Sequence, residues 1–208
     1  ANANSDYYEQ FEYRSIADIA AEQDRRPVEL VIDIILKALP HRATAFFFMM
    51  CEADIETALR FPWTSLGSDS SASAVLGEVG DYDLPHPRAY GTFPRVISEY
   101  VRKRHVLTLE DAIRKMTSWP AMRLGFRDRG LIREGLWADV VIFDYDEIND
   151  KATWKQGVEV PTGISHVFVN GVLTVSNGEH TGARAGVVLY GDGHEGSQKN
   201  KDRHDRFR

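Results

Sequence analysis

Ala43-Thr44-Ala45-Phe46-Phe47-Phe48-Met49-Met50-Cys51 is the longest apolar run in the chain, and Glu52–Arg60 and Trp63-Thr64-Ser65-Leu66-Gly67-Ser68-Asp69 follow it. The first run is strand-sized and continuously apolar, as expected of a strand buried on both faces of a parallel sheet. Residues 52–60 have the length and composition of a short helix. Trp63 to Leu66 is a second, brief strand-like run. Strand, helix, strand in that order predicts an α/β unit whose loop opens at Asp69.

Working towards the N-terminus, Val28, Val31, Ile34, Ile35 and Ala38 fall at helical spacing and predict one apolar face. Pro27 suits the first residue of that helix, because its missing N–H has no intrahelical partner there. Ser15 with Asp18 predicts a capped short helix before it. The chain opens ANANSDYYEQ, with no initiator Met and no charged-then-apolar signal pattern, and is expected to be a piece of a longer protein.

Working towards the C-terminus, Ser70 to Pro87 is rich in Ser, Gly, Asp and Pro. At about 18 residues it exceeds the usual connection and is a candidate functional loop. Thr92–Arg104 and Thr108–Trp119 read as helices, the second with Thr108 as N-cap and Glu110 and Asp111 in its first turn. After Pro120 the pattern turns to β. Val140-Val141-Ile142-Phe143 is a short strand. Val167-Phe168-Val169-Asn170-Gly171-Val172-Leu173-Thr174-Val175 predicts a hairpin around a type I′ Asn-Gly turn. Gly182 to Leu189 is expected to add a last strand. The expected parts are residues 1–122 (α/β), 123–191 (β) and a polar tail, 192–208.

The 208 residues are 43% hydrophobic and 27% charged, an ordinary globular balance. No apolar run approaches the roughly 20 residues a membrane span needs. The net charge of −6 speaks against a nucleic-acid partner, which normally meets a basic face. The tail departs from this balance, with Lys199, Lys201, Arg203, Arg206 and Arg208 against Asp202 and Asp205. Its one late apolar residue, Phe207, cannot support a core, so disorder is expected there. The single cysteine, Cys51, excludes an internal disulfide. It fits a cytoplasmic location or a disulfide-free secreted protein, and is expected to be a small buried side chain.

Asp69 is the first candidate for chemistry. A carboxylate directly after a barrel-type strand faces the loops where such folds place their active sites, and it can bind a metal or accept a proton from water. A Ser-Asp turn or helix cap uses the same residues. Arg88, in His86-Pro87-Arg88, can hold a substrate carboxylate through two parallel hydrogen bonds, or serve as a structural ion-pair arginine. His86 can act as a ligand or proton shuttle, although a loop histidine before proline commonly does neither. The seven histidines include no pair two or four apart, so no His-x-His or HExxH pattern is present. There is no GxSxG elbow and no phosphate-binding glycine loop.

Gly67-Ser68-Asp69, followed by His86-Pro87-Arg88-Ala89-Tyr90-Gly91-Thr92-Phe93-Pro94-Arg95, resembles the last barrel strand and following loop of the N-acyl-D-amino-acid deacylases. Leu107 to Ile113, Met116-Thr117 and Pro120-Ala121 are similar to that family's final barrel helix. Gly130 to Asp139 resembles the turn into its small β domain, and Val169-Asn170-Gly171 and Asn177 to Arg184 resemble its closing residues. The resemblance runs over roughly residues 10 to 190.

The resemblance implies the C-terminal portion of a (β/α)8 TIM barrel followed by strands of a small β-sandwich. It implies a zinc-dependent amidohydrolase, with one or two ions, that converts an N-acyl-D-amino acid and water to a carboxylate and a D-amino acid. Asp69 would be the general base and a metal ligand, and Arg88 would bind the substrate's α-carboxylate. The family's other metal ligands lie upstream of anything present here, so the isolated chain is expected to be inactive without that upstream part. Two other readings stay open: a non-catalytic module that binds a protein partner, and an amidohydrolase acting on cyclic amides.

Overall fold

A computed structural model of the chain describes residues 10–40, 43, 45–70 and 86–191. Most of the long loop, Thr44, His41, His194, His204 and the whole tail lie outside the described residues. The elements in chain order are α1 (Ile16–Glu22), α2 (Pro27–Ala38), α3 (Glu52–Arg60), α4 (Arg88–Arg95), a π-helical segment (Val96–Lys103), α5 (Leu109–Met116), α6 (Ser118–Arg123), β1 (Val140–Phe143), β2 (Ile164–Val169), β3 (Val172–Ser176) and β4 (Glu179–His180). No helix among the described residues is long and apolar enough to cross a membrane.

The residues divide into two compact units. The first is drawn from the described residues of Ala1–Cys51, Asp69–Tyr90 and Ala152–Glu159. Ser15 caps α1, its Oγ accepting from the N–H groups of Ala17 and Asp18 at 3.1 and 3.4 Å. Pro27 opens α2, as its fixed φ favours. Phe11, Ile19, Ala20, Leu30 and Ala38 form the core of this unit, with Ile16, Ile34 and Ala43 packed against it. The buried line on α2 is therefore Leu30, Ile34, Ala38. The expected face differs: it includes Val28 and Ile35, which remain 56% and 52% exposed, and omits Leu30, which is fully buried. An apolar helix of this kind needs neighbours all round, and among the described residues the core of the unit takes up the line Leu30, Ile34, Ala38.

The apolar run before Cys51 is the main departure from expectation. Its described residues form no strand, and Phe47, Met49 and Met50 are 77%, 86% and 73% exposed. Cys51 is exposed as well, not buried. A parallel strand exists only as part of a ladder, and no described residue pairs with this stretch. Trp63 to Leu66 likewise forms no strand. Its polar backbone groups are taken by helices instead: the Trp119 indole donates to the Trp63 carbonyl at 2.8 Å, and the Leu66 N–H donates to the Lys115 carbonyl at 3.1 Å. The barrel strands of the predicted α/β unit are thus absent from the described residues.

The second unit is drawn from the described residues of Glu52–Ser68, Gly91–Lys151 and Val160–Arg208. Leu59, Val96, Tyr100, Val101, Leu107 and Ala112 make its helical core. Burying a leucine such as Leu59 contributes about 2 kcal/mol relative to leaving it in water. Lys115 is also fully buried, and its ammonium donates to the Phe61 carbonyl and, at 3.4 Å, to the Thr64 carbonyl. Thr108 caps α5 as expected, accepting from the Asp111 N–H at 3.2 Å.

The helix expected from Thr92 begins at Arg88 and changes register after Pro94. Proline cannot donate within a helix and its ring crowds the preceding turn. The wider register that follows ends with the Arg104 N–H donating to the Glu99 carbonyl at 2.9 Å, five residues back. The Arg104 side chain joins three carboxylates: Glu56 at 2.9 Å, Glu99 at 3.0 Å and Glu52 at 3.6 Å.

The sheet is antiparallel, in the order β1-β2-β3-β4. Asn170 and Gly171 both have positive φ, 50° and 80°, as a type I′ turn requires. Asp139 ties down this turn, since its carboxylate accepts from the Asn170 N–H at 2.7 Å and pairs with Arg129. The strand expected over residues 182–189 does not form. The two-residue β4 pairs with β3 in its place.

Candidate active site

Asp69, His86 and Arg88 come together in the first unit. Asp69 sits in the left-handed region at φ 48°, which aspartate tolerates better than most residues. Arg88 is the first residue of α4. Its Nη2 lies 3.0 Å from Asp69 Oδ2, with the carboxylate side chain 86% exposed. An exposed pair of this kind adds little to stability. Its chemical content is that a carboxylate and a planar guanidinium share one place, close enough to contact one small molecule.

His86 is fixed beside them. The Arg88 N–H donates to His86 Nδ1 at 3.1 Å. Nδ1 is therefore the acceptor of a neutral ring whose proton is on Nε2. Burial holds the imidazole below its ordinary pKa, the Arg88 charge adds to the depression, and Asp69 opposes it. The ring packs edge-on against Trp154, with centroids 4.7 Å apart, and against Phe46 at 5.4 Å. Trp154 also meets Phe46 and Phe48, each at 5.0 Å.

Sequence reasoning singled out Asp69, His86 and Arg88 but passed over Trp154 and Phe46 as partners of the site. The available signal was Trp154 itself, a large ring in the polar stretch Asp150 to Glu159. Such a ring in a polar loop usually packs on something.

The described residues do not by themselves fit a metal centre. No group of three or more His, Cys, Asp and Glu side chains among them could hold an ion. Asp69 is the one predicted ligand in the stretch, and a single carboxylate falls short of the three protein ligands of a catalytic zinc site.

The amidohydrolase family model matches residues 4–175. D-aminoacylase of Alcaligenes xylosoxydans xylosoxydans is 36% identical over 176 residues, covering 85% of this chain and 34% of that protein. N-acyl-D-aspartate deacylase of the same organism is 42% identical over 149 residues, 71% of this chain and 28% of the relative. The crystal structure of N-acyl-D-glutamate deacylase from Bordetella bronchiseptica, complexed with zinc and a phosphonate mimic of the tetrahedral intermediate, superposes with a TM-score of 0.67. It is 33% identical, and the match covers 83% of this chain and 33% of that one. The chain spans about a third of the length of these relatives. The matched stretch contains Asp69, His86 and Arg88, and on this extent of matching the chain belongs to the amidohydrolase family, alongside its deacylases of N-acyl-D-amino acids.

Proposed function

We propose that this chain is the C-terminal part of an enzyme that hydrolyses N-acyl-D-amino acids to a carboxylate and a free D-amino acid. The observation that carries this is the Asp69–Arg88 pair, 3.0 Å apart, in a chain whose relatives include deacylases of such substrates. An acylated amino acid offers a free carboxylate for a guanidinium and an amide for hydrolysis. In this reading Arg88 leaves Asp69 to bind the α-carboxylate through two parallel hydrogen bonds.

Asp69 accepts a proton from water as the water oxygen bonds to the amide carbonyl carbon. It returns that proton to the nitrogen as the C–N bond breaks. Asp69 would also offer one oxygen ligand to a centre of one or two zinc ions, whose remaining ligands would come from the upstream part of the same enzyme. Residues 1–122 then supply the last β/α units of the barrel, and residues 123–191 supply strands of the small β-sandwich. The apolar stretch 45–50 and the outer face of α2 are the surfaces such a barrel would cover.

The test combines metal content with turnover. Zinc should be close to absent in the 208-residue chain alone. It should be present at one or two equivalents in the enzyme completed by the upstream part, together with release of D-amino acids from N-acyl-D substrates and not from their L counterparts. A completed enzyme that binds zinc but releases no amino acid would overturn the substrate assignment. A zinc-free chain that binds a defined protein stoichiometrically would favour the accessory-module reading instead.

A further inference from the structure

The deacylase reading gives His86 no role, yet its ring has three separate constraints. Its Nδ1 accepts the Arg88 N–H, and the ring meets both Trp154 and Phe46 edge-on. Trp154 is itself packed against Phe46 and Phe48, so the four rings form one cluster. The first N–H groups of a helix have no intrahelical acceptor. At α4 the first of them belongs to Arg88, and His86 satisfies it from two residues upstream, while the Ala89 N–H donates to the His86 carbonyl at 2.9 Å. His86 thus holds the backbone of the residue whose side chain reaches Asp69.

We infer that His86, packed against Phe46 and Trp154, is a positioning residue that sets where the Arg88 guanidinium stands and so governs affinity for the substrate carboxylate. The inference rests on the deacylase reading for its substrate and on the geometry alone for its mechanism. A two-pronged contact is directional, and a displacement of about 1 Å at the backbone of a bidentate arginine weakens both prongs together. Proton transfer at Asp69 does not depend on this hydrogen bond, so the effect should fall on binding.

Two substitutions separate the ring from its acceptor. His86→Phe keeps a flat ring for Phe46 and Trp154 and removes the acceptor. His86→Asn loses the ring packing and keeps an acceptor oxygen near the position of Nδ1, able to bond two residues on as in an Asx-turn. In the completed enzyme, His86→Phe should raise KM for an N-acyl-D-amino acid roughly five- to tenfold with kcat nearly unchanged, the loss of one hydrogen bond. His86→Asn should recover most of that loss. In the 208-residue chain, 15N NMR of His86 should show an unprotonated Nδ1 and a protonated Nε2.

An unchanged KM in His86→Phe, a fall confined to kcat, or equal losses in both variants would each overturn the inference. So would a protonated Nδ1. A wild-type completed enzyme that releases no amino acid would instead sink the deacylase reading, and the affinity role with it, a failure visible before either variant is made.

Discussion

The Arg88 guanidinium and the Asp69 carboxylate, 19 positions apart in sequence, meet at 3.0 Å. In the proposed mechanism, a substrate carboxylate bound at Arg88 would exchange this contact for its own two hydrogen bonds.

Asp69→Ala should lower kcat in the completed enzyme by about 10²–10⁴-fold, the range for removal of a general base. The side chain is 86% exposed, so thermal unfolding should hardly change. Steady-state kinetics beside a melting curve checks both halves. Near-normal turnover would remove Asp69 from the mechanism.

Arg88→Lys should chiefly raise KM, by roughly tenfold, because an ammonium makes point contacts where the guanidinium makes two parallel bonds. The same substitution should leave the 208-residue chain folded, since an exposed pair contributes at most about 1 kcal/mol. Substrate saturation curves at fixed enzyme decide this, and a KM within error of wild type argues that another group holds the carboxylate.

Lys115→Met should destabilise the second unit by about 1–3 kcal/mol. The methylene stem survives, but the carbonyls of Phe61 and Thr64 lose a fully buried donor. Urea denaturation should show a lower midpoint with an unchanged slope. A midpoint at or above wild type would show that the buried ammonium costs more than its hydrogen bonds return.

Gly163→Ala should be more damaging than Gly171→Ala. Both glycines have φ near +80°, strained for any side chain. A Cβ at Gly163 would also collide with the Ile148 backbone, whereas at Gly171 it meets nothing within 4 Å. Expressed side by side, the Gly171 variant should lose about 1 kcal/mol and the Gly163 variant distinctly more. Equal losses would mean that the Ile148 segment yields at little cost.

Acid should weaken the second unit through Arg104. Its hydrogen bond holds Glu99 below the usual glutamate range, with Lys103 assisting, and does the same at Glu56, with Arg60 assisting. A depressed folded-state pKa stabilises above the unfolded value of about 4.5 and is lost as pH falls through the folded value. Stability should thus be flat near neutrality and decline below about pH 4.5. Arg104→Gln should flatten that decline, as seen in unfolding midpoints measured across the acid range. An identical acid decline in the variant would place the titrating groups elsewhere.

Much was legible in the sequence because it depends on near neighbours. Ser15 and Thr108 cap helices by bonding N–H groups two or three residues away, and the Asn170-Gly171 turn is fixed by its own backbone. Asp69, His86 and Arg88 stood out by residue type and motif. What could not be read locally was ladder formation at residues 45–50 and 63–66, because a strand's hydrogen bonds go to another segment and no described segment supplies them. The buried line of α2 was misread for a related reason: the helix is apolar on several sides, and its neighbours in the fold, α1 with Phe11 and Ala43, decide which side is covered. The rings of Phe46 and Trp154 around His86, 108 positions apart in sequence, were decided by tertiary structure alone, since edge-on packing between distant segments leaves no local pattern.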